Sequence, residues 1–206
     1  MFITFEGTEG AGKSTLIRAV GQALGIPKSR IIITREPGGS RVSESIRSVI
    51  LNEQMDPWTE LFLYEAARAE HMAKTVLPAL KSGKTVLCDR FTDSTLAYQA
   101  HARGLPWAEV VKLNAAATRG IKPDFTVFMD VDPALGLRRA REHNRFEREG
   151  VKFQQKVRRG FLKSMRLDPD RWIRIKAFSG TPDEMAARIL SAINKKIDGQ
   201  GRKKHS

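Results

Sequence analysis

The sequence predicts an α/β fold in which a parallel sheet is covered by helices on both faces. Three observations carry this. Short runs rich in β-branched and aromatic residues recur along the chain, helical patterns separate them, and a glycine-rich turn joins the first run to the first helix. The strand-like runs are 2–6, 31–34, 85–88, 125–129 and 172–175. In 15–24 the apolar residues Leu16, Ile17, Val20, Ala23 and Leu24 follow the i, i+3/i+4 spacing of an amphipathic helix. Further helical patterns cover 41–51, 59–81, 107–118, 134–143, 151–166 and 182–197, with Pro78 predicting a kink or break in the long one. In 151–166 the stripe Phe153, Val157, Phe161 and Met165 predicts a packed face, with Lys152, Lys156, Arg159 and Lys163 outside. Residues 199–206 hold no apolar anchor, so the organisation expected is one domain over 1–198 and a flexible basic tail.

Composition narrows the classes. At 206 residues and 41% hydrophobic, the chain is long enough for one sizeable core. No apolar run approaches the roughly 18 residues of a membrane helix, and the N-terminus turns polar at Glu6 and Gly7, so a cytoplasmic location is expected. Cys88 is the only cysteine, and His71, His101, His143 and His205 lack metal-ligand spacing, which excludes disulfide and zinc scaffolds. The net charge is +13, unevenly distributed. Residues 1–137 hold 16 basic and 15 acidic side chains, and residues 138–206 hold 20 and 8. The basic third reads as a solvated surface, a phosphate-facing lid or a weak polyanion site.

Gly7-x-x-x-x-Gly12-Lys13-Ser14 matches the phosphate-binding loop, with a strand before it and a helix after it. Glycines let backbone N–H groups turn onto phosphate oxygens, and the helix points its positive end at the same anion. Lys13 would reach the β- and γ-phosphates, and the Ser14 hydroxyl would ligate Mg²⁺. Asp89-Arg90, at the carboxyl end of the 85–88 run, can hold Mg²⁺ and face a second anion. The Asn-Lys-x-Asp base-recognition pattern of GTPases is absent, and 23.1 kDa leaves little room for a motor. Arginines at 35, 47, 68 and 90, and the cluster Arg138, Arg139, Arg141, Arg145 and Arg148, suit an acceptor that is itself a phosphate. Such an acceptor is already a nucleophile near neutral pH and needs no general base.

The segments 5–15 (FEGTEGAGKST), 34–39 (TREPGG), 64–68 (YEAAR), 89–99 (DRFTDSTLAYQ), 122–124 (KPD) and 144–147 (NRFE) resemble motifs of bacterial thymidylate kinases, and the likeness runs from about residue 2 to about 190. The resemblance implies a P-loop NTPase-type three-layer sandwich, α/β, with a five-stranded parallel sheet covered by helices and a mobile lid at about 138–150. It implies ATP-dependent phosphorylation of dTMP to dTDP, with Mg²⁺, by a homodimer. ATP would lie on Gly7, Thr8, Glu9, Gly10, Ala11, Gly12, Lys13, Ser14 and Thr15. Glu9 would contact the deoxyribose 3′-hydroxyl, and Arg47 and Arg90 would grip the acceptor phosphate. Glu36 would help hold Mg²⁺, with Ser14 and Asp89, or orient an arginine. Tyr64 would stack on thymine, and Arg68 would bond its O4. Ser94, Thr95 and Gln99 would line the base pocket, and Tyr98 would crowd the 2′ position. Gly10-Ala11 lack a loop arginine, so Arg145, helped by Arg141, would supply catalytic charge from the lid, and the 175–180 loop would cradle adenine. This sequence has Tyr64 where the family usually has phenylalanine, His101-Ala102-Arg103-Gly104 where many relatives read Gly-Gly-Arg-Gly, and Lys176 where an acidic residue is common. The rival reading is a nucleic-acid-binding protein with a regulatory nucleotide site. It draws on the basic third but lacks aromatic platforms and a recognisable module, so no nucleic-acid partner is expected.

Overall fold

The computed structural model describes residues 1–140 and 145–203. Five strands, β1 (Phe2–Glu6), β2 (Ile31–Arg35), β3 (Thr85–Asp89), β4 (Phe125–Asp130) and β5 (Trp172–Lys176), form one sheet of order β2-β3-β1-β4-β5. Every neighbouring pair is parallel. β1 and β4 are buried at every position, as expected of strands covered on both faces. The chain leaves β1 toward one sheet edge and leaves β3 toward the other. The crevice between these adjacent strands, where Phe5 pairs with Asp89, is the switch point at which such sheets bind ligands.

The helices follow in chain order: α1 (Lys13–Ala23), α2 (Arg41–Asn52), α3 (Pro57–His71), α4 (Leu77–Lys81), α5 (Thr92–Thr95) and α6 (Trp107–Thr118). After them come α7 (Pro133–Arg139), α8 (Arg145–Arg148), α9 (Gly150–Leu167) and α10 (Pro182–Lys203). On one sheet face Leu16, Ile17 and Val20 of α1 and Ile189 and Ile193 of α10 pack on Ile3, Phe5, Val127 and Ile173. On the other, Phe153, Val157 and Phe161 of α9 meet Tyr98, Phe128 and Trp172, while Lys152, Lys156, Arg159 and Lys163 stay exposed.

Three expectations change. The kink anticipated at Pro78 is a π-helical turn, Met72–Val76, which absorbs the hydrogen bond that the proline cannot make. Residues 92–102, which carry no amphipathic stripe, are helical: α5 continues into a π-helix, Leu96–Ala102. Their side chains are buried nearly all round, so periodicity has no polar face to reveal. The helix expected to end at 197 continues to Lys203, since each residue only extends an existing ladder.

Candidate active site

The glycine loop leaves β1 and closes onto α1, with Gly7, Gly10 and Gly12 at φ 154°, 67° and 85°. A Cβ at Gly10 would lie 1.9 Å from the Gly136 carbonyl oxygen, so the loop seats against α7 only as glycine. Lys13 is buried, and its Nζ donates to the Gly7 and Thr8 carbonyls at 3.3 Å each. Burial, then the Arg90 charge, lower the pKa of its ammonium group.

At the end of β3 the Ser14 hydroxyl donates to Asp89 Oδ2 at 3.4 Å. Asp89 Oδ1 is buried without a partner among the described residues, as a cation ligand would be. No group of three or more His, Cys, Asp or Glu is gathered to hold a metal among the described residues, so a metal here relies on phosphate oxygens for its other ligands.

Arg90 follows in the left-handed region at φ 69°. Its Nη2 donates to Glu9 Oε1 at 2.8 Å, and its Nη1 donates to the Gly7 carbonyl at 3.0 Å and to Ser94 Oγ at 3.3 Å. Glu6 ties down the turn from beneath, accepting from Phe91 N–H at 2.8 Å and from the Ser94 hydroxyl at 2.6 Å. Burial, then Asp93, push the Glu6 carboxyl up to about 8. Burial alone would raise the Glu9 carboxyl, but Arg90 and Lys13 outweigh it and hold it below the ordinary carboxylate range.

Two cavities meet here. One runs over the loop from Glu9 to Thr15 and is bounded by Arg18, Arg35, Arg139 and Phe178. The other is walled by Tyr64, Arg68, Phe91, Ser94, Thr95, Tyr98, Gln99 and Phe146. Glu9, Glu36, Arg47 and Arg90 line both. Arg47 reaches this junction from α2 and donates to the Pro37 carbonyl at 2.9 Å. Tyr64 and Arg68, four apart on α3, project into the second cavity together. The Tyr98 hydroxyl donates to Glu9 Oε1 at 3.0 Å, and Thr95 Oγ1 is buried without a partner among the described residues.

Arg68 and Gln99 are fixed from behind. Arg68 Nε donates to Glu36 Oε2 at 2.8 Å, and its Nη1 donates to Glu65 at 2.9 Å and to Asn114 at 2.7 Å. The Gln99 amide nitrogen donates to Glu60 Oε1 at 2.6 Å. Arg68 Nη2 and Gln99 Oε1 keep no hydrogen bond to protein among the described residues, so the cavity is offered one donor and one acceptor.

Two expected roles are displaced. Arg145 does not face the phosphate loop: it is buried, its Nε donates to the Ile50 carbonyl at 2.5 Å, and its Nη1 pairs with Glu60 at 2.6 Å. A guanidinium so enclosed is an anchor. Arg145→Ala should cost about 3 kcal/mol of stability by leaving Glu60 short of a counter-charge. Chemical denaturation checks this, and an unchanged unfolding midpoint refutes it. Both Glu36 oxygens are engaged, by Arg68 and by His71 Nδ1 at 2.9 Å, so it orients an arginine and is not free to hold a metal. Arg141 lies outside the described residues. On the donor side stands Arg139, its guanidinium 4.1 Å from the Phe178 ring centroid. Phe178 brings the 175–180 loop to that cavity. Phe146 enters the sequence analysis only as part of the 144–147 motif, without a role, and Glu60 not at all: the four-residue α8 shows no period, and Glu60 sits in an ordinary first turn.

Two cavities that share Arg47 and Arg90 suit transfer between two charged phosphates. Fold and site together define a P-loop kinase of the nucleoside monophosphate kinase class. The thymidylate kinase family model matches residues 5–189. The chain is 44% identical over 207 residues to thymidylate kinase of Geobacillus sp. (strain WCH70), covering 97% of this chain and 98% of that relative. It is 46% identical over 186 residues to that of Enterococcus faecalis (strain ATCC 700802 / V583), covering 86% and 88%. A crystal structure of thymidylate kinase from Ehrlichia chaffeensis superposes with a TM-score of 0.77 at 32% identity, covering 92% of this chain and 98% of that one. The chain belongs to the thymidylate kinase family.

Proposed function

We propose that the two cavities hold ATP and dTMP end to end, with the labour of transfer divided among the residues described. The chain is a dTMP kinase, converting dTMP to dTDP with ATP as donor. The shared wall of Glu9, Glu36, Arg47 and Arg90 supports the end-to-end arrangement. Two unit charges about 4 Å apart repel by ~4 kcal/mol at an effective dielectric near 20, and the guanidinium groups of Arg47 and Arg90 offset this. Loop N–H groups and Lys13 hold the β- and γ-phosphates, with Arg139 adding charge. Ser14 and the unpartnered Asp89 Oδ1 are the ligands offered to Mg²⁺, which when bound neutralises phosphate oxygens. The acceptor dianion attacks without a general base.

On the acceptor side Arg68 Nη2 donates to thymine O4, Gln99 Oε1 accepts from N3–H, and Tyr64 stacks on the ring. Glu9 takes the 3′-hydroxyl, and Tyr98 fills the space a 2′-hydroxyl would need. Initial rates at equal concentrations of dTMP, dUMP, AMP, GMP and CMP test the assignment. The expected order puts dTMP first, and a tenfold preference for AMP or GMP refutes it.

The same proposal includes a homodimer. Val42 and Val49 on α2, Trp58 and Phe62 on α3 and Val111 on α6 are apolar and exposed on helices that pack together. Phe62→Glu should convert a dimer into a monomer in light scattering; a native chain already at 23.1 kDa overturns this. A cytoplasmic location completes the proposal; no helix among the described residues is long and apolar enough to cross a membrane.

A further inference from the structure

Glu60 touches neither cavity, yet Gln99, which lines the acceptor cavity, and two arginines from outside it converge on this carboxylate. It is almost fully buried on α3. Its Oε1 accepts from the Gln99 amide at 2.6 Å and from Arg103 Nε at 3.4 Å, and its Oε2 pairs with Arg145 Nη1 at 2.6 Å and Arg103 Nη2 at 3.4 Å. Arg103 is itself held by Glu149 at 2.6 Å and lies 4.6 Å from the Phe153 ring centroid. The carboxylate is therefore braced by Arg145 on one oxygen and by Arg103 across both, and its short bond to Gln99 is made on Oε1.

A carboxamide can present either its oxygen or its nitrogen to a ligand, and the difference is a half-turn about one bond. A carboxylate offers acceptors only. Facing Glu60, the Gln99 amide must turn its nitrogen backward, because the opposite orientation would set two buried acceptors against each other and leave a donor unpaired. The oxygen then faces the cavity that Arg68 lines. One donor and one acceptor complement an imide edge, in which a carbonyl oxygen adjoins an N–H. They oppose the amino-imine edge of cytosine at both positions.

We infer that Glu60 is a specificity-determining positioning residue: by locking the Gln99 amide with its oxygen toward the acceptor, it makes the pocket read thymine and reject cytosine. The inference rests on the acceptor assignment proposed above.

Steady-state kinetics with dTMP and dCMP test it in the wild type, Glu60→Asp, Gln99→Met and the double variant. Aspartate keeps the charge for Arg103 and Arg145 but withdraws the acceptor from Gln99. The ratio of kcat/KM for dTMP over dCMP should fall about tenfold or more in Glu60→Asp, through the KM for dTMP, with the KM for ATP unchanged. In the Gln99→Met background the aspartate should change the ratio no further. Proportional loss with both acceptors, or a further fall in the double variant, overturns the inference. Should Glu60→Asp fail to melt cooperatively, side-chain amide NMR of the wild type takes its place. The Gln99 amide protons should be protected with or without dTMP, and protection gained only with dTMP overturns the inference. If instead the wild type shows no preference for dTMP, or Gln99→Met leaves the ratio intact, the acceptor assignment itself is at fault.

Discussion

Arg90→Ala should lower kcat/KM for dTMP by about three orders of magnitude, with kcat falling and the KM for dTMP rising together. The size follows from position. Arg90 lines both cavities, so its charge sits between donor and acceptor phosphates, where one pairwise repulsion of ~4 kcal/mol corresponds to roughly a thousandfold in rate. The fold should survive. Its backbone turn is held by Glu6 through Phe91 N–H and Ser94, and the guanidinium is not needed for that. Arg90→Lys should recover little, because one ammonium cannot span Glu9, the Gly7 carbonyl and Ser94 with the planar fork that now does so. Residual activity carries a second signature. Without Arg90, burial of the Glu9 carboxyl is opposed only by Lys13 and the Tyr98 hydroxyl, so the acid limb of the pH–rate profile should move to higher pH. Activity within tenfold of the wild type would remove Arg90 from the phosphate junction.

Legibility in the sequence tracked how local each cause is. The glycine loop was readable because its chemistry fixes residue types at fixed spacing. The five strands were readable because short apolar runs between helical patterns have few other uses. Tyr64 and Arg68 could be set on one face because four residues span about one helical turn. The helix carrying Ser94, Thr95, Tyr98 and Gln99 escaped notice for the reverse reason: it is buried on all sides, so its order comes from neighbours and not from its own pattern. Arg145 shows the same limit more sharply. Its acceptor, the Ile50 carbonyl, lies 95 residues away, and nothing near position 145 tells an arginine that meets phosphate from one that meets a carboxylate in the core. Glu36 likewise found Arg68, 32 residues on.

Lys13→Ala separates catalytic from structural charge most cleanly, because its two effects should have opposite signs. Turnover should drop about a thousandfold, since the side chain is the ammonium nearest the loop carbonyls and is needed where charge develops on the transferred group. The KM for dTMP should hardly move, because Lys13 lines only the donor cavity. Stability should move the other way. Burial first, and the neighbouring Arg90 charge second, lower the pKa of this ammonium in the folded protein, so folding is penalised at every pH at which the group stays charged. That penalty is fully present below the folded pKa and fades as pH rises toward the unfolded value of 10.5. At neutral pH the alanine variant, measured without nucleotide, should therefore melt at the same temperature as the wild type or higher, and its advantage should shrink in alkaline buffer. The bonds it gives up are two contacts of 3.3 Å to carbonyls, long enough to yield readily when phosphate arrives. A melting temperature several degrees lower, alongside the loss of turnover, would make Lys13 a brace for the loop and not the cation waiting for the nucleotide.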